Sequence, residues 1–476
     1  MSTYSVEVRK RITFIFFALF FVFFLLVLRL AYLQIIKGTW YQQKALENRI
    51  REIVVEPKRG DIYDRNGNEL AVSINADACY AVPAEVKKAE NVEEVARELA
   101  EILDMDQEKV YKLITQDQHS VWLKFKLTEE EVKKLREKNL PGIGTIPKPQ
   151  RFYPKGNLAS HVLGFAGDYN QGLEGIEVAF EEELAGINGY LLVEYDAAGH
   201  EIPESTKKYI EPEQGLSVVL TIDQTIQYIA ERELDKIMQK HSPKRATILV
   251  MDPKTGEILA LANKPDFNPN EIDENWDELS EDENNESPLL NRATQGLYAP
   301  GSTFKILTAL AYIRENADYE DFIYNCNGKI EYDGMVIHCN NNKSHGKVDL
   351  KKAFAKSCNT AFSSIGKELS INDFRELCES FFFNHSLPSK IAASPSRFEL
   401  KTGSSGIKEA MQTAIGQGKT LMTPLHNAMI AAAVANGGIM MKPYVVDRIE
   451  SAGGRVIKGY IPEEAGIVMT ASEATF

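Results

Sequence analysis

The stretch YAPGSTFKILTALAYI, residues 298–313, decides how the rest of the chain is read. Pro300 and Gly301 break the preceding segment, and an apolar run follows, so a loop opens here into a helix. Ser302 and Lys305 stand three positions apart, on one helical face. A serine hydroxyl is a poor nucleophile until a neighbour takes its proton. A lysine held close, partly desolvated and neutral, can take it. The positive end of the helix favours the negative charge that then develops. Taken alone, S-x-x-K is also what a capped helix with a surface lysine looks like.

A second polar pair lies downstream in AKSCNTAF, residues 355–362. Ser357 and Asn359 are one residue apart, so hydroxyl and amide can face one cleft while Cys358 faces away. The hydroxyl can relay a proton and the amide can hold a peptide group. Taken alone, this S-x-N reads as a polar helix cap. The surrounding chain has globular proportions, 44% hydrophobic and 26% charged, which excludes a disordered polymer. Its net charge of −14 and pI near 5.3 argue against a nucleic-acid partner, whose phosphates need a surplus of Lys and Arg.

The N-terminus differs from the rest. Arg9, Lys10 and Arg11 precede ITFIFFALFFVFFLLVL, residues 12–28, which carries no charge. With Arg29 snorkelling, the apolar character extends far enough for a span of roughly 20 residues. The basic cluster keeps the first residues cytoplasmic and sends the remainder outward. The run is longer than a signal peptide's apolar region and no small-x-small cleavage site follows it.

Between residues 35 and 214 the chain alternates turns, amphipathic helices and short strands, with a tight-turn signal at Asn66-Gly67. LSVVLTIDQTIQYIAERELDKIM, residues 216–238, reads as a strand and a long helix capped by Thr221 or Asp223. ATILVMDPKTGEILALANKP, residues 246–265, reads as a hairpin with its turn at residues 252–256. The acidic, Asn-rich segment 270–287 reads as a loop.

S-x-x-K followed by S-x-N is the active-site order of penicillin-binding proteins and serine β-lactamases, and the chain resembles a class B, monofunctional penicillin-binding protein along nearly its whole length. The resemblance rests on KRGDIYDRNGNELA (58–71), RFYP (151–154), GLEGIE (172–177), LTIDQTIQ (220–227), MDPKTGEILALANKPDFNPN (251–270), NRATQGLYAPGSTFK (291–305), SCNTAF (357–362) and AIGQGKTLMTPLHNAMIAAAVANGG (414–438). It implies a cytoplasmic tail at 1–11, a transmembrane helix at 12–34, an α+β pedestal (dimerisation-type) module at 35–214 and an α/β transpeptidase domain at 215–476, with helices around a mainly antiparallel, five-stranded sheet. Carried over, Ser302 is the acyl-enzyme nucleophile, Lys305 its general base, Ser357 the proton shuttle to the leaving D-alanine and Asn359 a ligand for the stem peptide. The Ser302 N–H is half of the oxyanion hole. The implied activity is peptidoglycan D,D-transpeptidation outside the bacterial cytoplasmic membrane, with no cofactor needed for catalysis. The implied partners are stem peptides of lipid-linked precursor glycan, β-lactams, the membrane, and a glycosyltransferase with other wall-synthesis proteins. A secreted β-lactamase is disfavoured by the anchor and the large N-terminal module.

The family's third motif, Lys-Thr-Gly, lies on a strand edging the cleft, after the GQG-TPL-ANGG region. Here Lys254-Thr255-Gly256 falls in a hairpin turn. Lys401-Thr402-Gly403 precedes that region and is followed by SSGIKEAMQTAIG, a turn and helix. Neither is expected to have a catalytic role. On this reading the transpeptidase domain is C-terminally incomplete, and the alternative is a non-catalytic scaffold for cell-wall synthesis.

Of five cysteines, three fall near the active-site motifs. Cys326, Cys339, His345 and Cys358 are spaced by thirteen, six and thirteen positions. Thiolate and imidazole suit a closed tetrahedral zinc, and some elongation-type relatives look similar in carrying zinc in this region. A Cys326–Cys339 disulfide across CNGKIEYDGMVIHC and buried free thiols stand beside that reading.

Overall fold

The computed structural model describes residues 3–88, 91–194, 208–280, 287–401, 403 and 405–476. Thr402, part of the loop segment (281–286) and part of the segment after GLEGIE (195–207) lie outside the described residues. The chain packs as two units, one formed by Met1–Pro57 with Ile187–Glu213, the other by Lys58–Gly186 with Gln214–Phe476.

In the first unit, helix Thr3–Ala31 continues through a π-helical turn, Tyr32–Ile36. Val8–Ile36 is the one stretch among the described residues long and apolar enough to cross a membrane, with mean hydropathy 2.8. Helix Gly38–Arg49 follows, and strands Ile50–Val55, Gly189–Glu194 and Lys208–Ile210 form a three-stranded antiparallel sheet.

In the second unit, seven strands make one mixed sheet. Ile62–Tyr63 pairs antiparallel with Glu69–Ala81 and parallel with Ser217–Leu220, which in turn pairs antiparallel with Val446–Glu450. The turn before Glu69 closes as its residues dictate: Asp64 Oδ1 accepts from the N–H groups of Asn66 and Asn68, each at 2.8 Å, and Gly67 takes a φ of +83°. The KRGD, RFYP and GLEGIE segments converge. Glu177, fully buried, accepts from Arg59 Nε at 2.5 Å, Arg151 Nε at 2.6 Å and Tyr153 O–H at 3.2 Å.

Helix Gln224–His241 is capped by Asp223, whose carboxylate accepts from the N–H groups of Thr225 and Ile226, while Thr221 donates to Ile258 O at 2.7 Å instead. The helix packs on the hairpin Ala246–Met251/Ile258–Lys264, with helix Pro424–Ala435 against the hairpin's first strand. The resemblance implies five strands in this layer; the described residues supply two. Ala246–Met251 is paired on one side only, and all six of its residues, five of them apolar, are only half-buried. Next to this layer, helix Lys305–Glu315 runs against helices Asn359–Glu368 and Ile371–Ser380. Phe304 seats it on Phe374, Phe383 and Phe398, with ring centroids 5.7–6.2 Å apart.

Candidate active site

Ser302 lies in a 3-10 turn, Gly301–Phe304, and the α-helix begins at Lys305. In a 3-10 turn side chains three apart eclipse, which brings Lys305 Nζ to 3.2 Å from Ser302 Oγ. Ser302 is exposed, whereas Lys305 is 1% exposed. Its Nζ also lies 3.0 Å from Ser357 Oγ, 2.9 Å from Ser357 O and 2.7 Å from Asn359 Oδ1. The two carbonyl oxygens can only accept, so they take two N–H bonds from the amine. Its third position faces two hydroxyls, and in a neutral lysine that position is a lone pair. Ser357 Oγ lies 2.9 Å from Ser302 Oγ, which closes the triangle. Burial pushes the Lys305 amine down to about 8, although the nearby Cys358 and Cys339 thiols pull the other way.

Three local features hold this arrangement. Ser357 has a φ of +49°, a left-handed conformation that costs a non-glycine residue about 1–2 kcal/mol, and both its carbonyl and its hydroxyl reach the same amine. The Asn359 amide is fixed from the other side, because Nδ2 donates to His338 O at 3.0 Å and so leaves Oδ1 for the lysine. Behind Ser302, Gly301 N–H donates to Gly416 O at 2.9 Å. Gly416 has a φ of +70°, and a Cβ there would sit 2.0 Å from Gly301 O. Gly416→Ala is therefore expected to push the Ser302 turn outward. We expect acylation to slow on the order of 10²-fold and stability to fall by about 1–3 kcal/mol, checked by single-turnover penicillin acylation and a melting curve.

Lys254, Thr255 and Gly256 occupy the hairpin turn, where Asp252 accepts from the N–H groups of Lys254 and Thr255. Lys401 and Gly403 lie in a second turn, closed by Ser405 N–H to Lys401 O at 2.9 Å. Neither lysine contacts the Ser302–Lys305–Ser357–Asn359 cluster among the described hydrogen bonds.

Immediately beneath the cluster, one donor atom each from Cys326, Cys339, His345 and Cys358 lies within 4.8 Å of all the others. Cys326 and Cys339 sulfurs are 3.7 Å apart, Cys339 and Cys358 sulfurs 3.7 Å, and Cys326 Sγ is 3.5 Å from His345 Nδ1. All five cysteines are free, and Cys79 and Cys378 are buried elsewhere in the core. Burial pushes the Cys326 thiol up, but donors including the Thr360 hydroxyl, 3.2 Å away, and the backbone of His345 and Gly328 bring it below its ordinary value. Sequence reasoning gave Thr360, Gly416 and the carbonyl of His338 no part. The only sequence signal for any of them is the glycine pair in GQG, residues 416–418.

Known proteins resemble this chain along most of its length. Residues 246–475 match the penicillin binding protein transpeptidase domain, and residues 54–220 match the penicillin-binding protein dimerisation domain. The chain is 32% identical over 453 residues to stage V sporulation protein D of Bacillus subtilis, covering 94% of this chain and 68% of that protein. It is 32% identical over 455 residues to the peptidoglycan D,D-transpeptidase MrdA of Acinetobacter baumannii, covering 88% and 66%. It thus spans about two thirds of the length of these relatives. Among solved structures, a peptidoglycan synthetase from Bifidobacterium adolescentis shares the fold with a TM-score of 0.64 at 22% identity, over 90% of this chain and 80% of that one. Penicillin binding protein 2X from Streptococcus thermophilus does so with a TM-score of 0.65 at 21% identity, over 89% and 65%. The chain belongs to the class B penicillin-binding proteins, a family of peptidoglycan D,D-transpeptidases, and carries that family's N-terminal apolar helix, dimerisation-type module and transpeptidase domain.

Proposed function

We propose that this chain is a membrane-anchored peptidoglycan D,D-transpeptidase that works through an acyl-enzyme on Ser302. The observation that carries the reading is the buried amine of Lys305, within 3.2 Å of both serine hydroxyls and of Asn359 Oδ1. Neutral Lys305 takes the Ser302 proton as Oγ attacks the carbonyl of the donor stem peptide. Ser357, bonded to both groups, passes that proton to the departing D-alanine amine. The amine of an acceptor peptide then attacks the ester, loses a proton by the same route and releases Ser302. Asn359 orients the peptide, and the Ser302 N–H stabilises the oxyanion. β-Lactams acylate the same oxygen and are then released slowly. Val8–Ile36 anchors the chain in the bacterial cytoplasmic membrane, with Arg9, Lys10 and Arg11 inside and the catalytic body outside. There it meets stem peptides on lipid-linked glycan made by a partner glycosyltransferase.

The test is release of D-alanine from a stem pentapeptide by the full chain, beside Ser302→Ala. Release that vanishes in the variant supports the reading. A folded chain that releases none, with penicillin or stem peptide, supports the non-catalytic scaffold instead. That second reading is favoured by Lys401 and Gly403, which lie in a turn and make no described hydrogen bond to the Ser302 cluster.

The proposal includes a structural zinc on Cys326, Cys339, His345 and Cys358, with no part in the bond-making steps. The donor set fits: zinc–sulfur bonds of about 2.3 Å in a tetrahedron put sulfurs ~3.8 Å apart, and Cys339 Sγ stands 3.7 Å from each of the other two sulfurs. Bound there, the metal would brace the segment carrying Ser357 and Asn359 from behind. The purified chain is expected to hold about one zinc per molecule, with Cys339→Ser losing it and melting earlier. Elemental analysis with thiol titration checks this; a zinc-free chain with a Cys326–Cys339 disulfide contradicts it.

A further inference from the structure

The second unit holds a cavity apart from the Ser302 cleft. It encloses about 490 Å³, and its wall contains none of Ser302, Lys305, Ser357 and Asn359. It lies between the GLEGIE region, where Ile176 and Phe180 line it, and transpeptidase residues such as Leu261, Leu289 and Val446. Its volume falls in the range of small-molecule sites, roughly 300–1,000 Å³, and is far more than one buried water needs.

Two polar features of the wall point to a ligand. Thr294 is fully buried, yet its hydroxyl has no hydrogen-bond partner among the described residues. A buried polar atom left unpaired is costly, so a site that keeps one has a use for it. The second feature is charge. Lys442 is neutralised by Glu463 at 2.6 Å. Lys390 forms no salt bridge among the described residues; it lies 4.6 Å from the Tyr460 ring centroid, donates to the Tyr460 hydroxyl at 3.5 Å and is near enough to Glu463 to help Lys442 hold that carboxyl down. Glu174, the other acid in the wall, is exposed in part, and burial of the rest pushes its carboxyl above the ordinary value. Ser394 N–H donates to Thr294 O at 2.9 Å, which ties the segment bearing Lys390 to the segment bearing Thr294.

We propose that this cavity is a second binding site, for a carboxylic acid with an extended apolar body. The apolar part lies against Ile176, Phe180 and Leu261 and the carboxylate is held at Lys390, while the Thr294 hydroxyl, which exposes almost no surface, reaches the ligand only after its side chain turns. The site is separate from the acyl-enzyme chemistry and does not depend on it.

The test uses the full chain in lipid nanodiscs and a diazirine-bearing decanoic acid as the photo-crosslinking probe, with labelled peptides located by mass spectrometry. Saturable labelling of the segments 174–180 and 388–392 is expected, competed by decanoate and not by decanol. Lys390→Gln is expected to weaken it about tenfold, the loss of one charge-assisted bond. Ala179→Trp, at the exposed rim, is expected to block it. Labelling confined to Val8–Ile36, or labelling of those segments that Lys390→Gln leaves unchanged, overturns the proposal. If Ala179→Trp fails to melt cooperatively, Lys390→Gln decides alone.

Discussion

Lys305→Met is expected to slow acylation of Ser302 by benzylpenicillin on the order of 10²–10⁴-fold, the span removed with a general base. Methionine keeps the length and apolar stem of the side chain but offers neither N–H nor a basic nitrogen. The wild-type rate is expected to rise with pH and level off, with its midpoint near 8, because the neutral amine is the active form. The variant is expected to lose that limb. Stability separates this from a structural role. The folded-state pKa lies below the unfolded one, so the folded chain binds fewer protons between them. Lys305 therefore weakens the fold fully below pH 8, and the penalty fades as pH rises from there toward the ordinary lysine value of 10.5. Removing the amine is expected to leave the neutral-pH melting temperature unchanged or raised while activity collapses. A variant that acylates within a few-fold of wild type, or keeps the pH limb, contradicts the assignment.

Glu177→Gln carries the largest expected stability loss. Glu177 is fully buried and its two oxygens take Arg59, Arg151 and Tyr153. Arg59 keeps a second carboxylate, Glu181 at 2.7 Å, but Arg151 is left with only the Gly60 carbonyl at 2.8 Å among its described bonds. Removing one partner leaves the other charge buried and uncompensated, which costs about 3–5 kcal/mol. At about 2–4 °C per kcal/mol, the melting temperature is expected to fall by roughly 10 °C. An apolar Glu177→Leu/Arg59→Met/Arg151→Met variant is expected to recover much of that, since the cost lies in the unpaired charge. A Glu177→Gln melt within experimental error of wild type refutes the account of this network.

These two predictions differ in how far the sequence foretold them. Ser302, Lys305, Ser357 and Asn359 were legible as candidates because each motif is short, and their order along the chain carries the resemblance. The sequence did not show how they meet, at four distances of 3.2 Å or less around one nitrogen. That meeting depends on a left-handed Ser357 and on the backbone of Gly416, neither of which has a local pattern. The Asp252 turn and the Asn66-Gly67 turn were legible because turn chemistry is local. The sheet joining Ile62–Tyr63, Ser217–Leu220 and Val446–Glu450 was not, since pairings across hundreds of residues leave no periodic trace. Cysteine spacing left zinc, disulfide and free thiol open, and folding brought four donors within 4.8 Å. KRGD and GLEGIE were recognised as resemblance motifs; that they form one buried ion network is visible only once they pack.

The most direct measurement is peptide mapping of the full chain after incubation with benzylpenicillin, in parallel with Ser302→Ala. The account predicts one penicilloyl adduct per chain, on the peptide containing Ser302, and none in the variant. A folded chain that gains no adduct, or one whose adduct persists in Ser302→Ala, contradicts it.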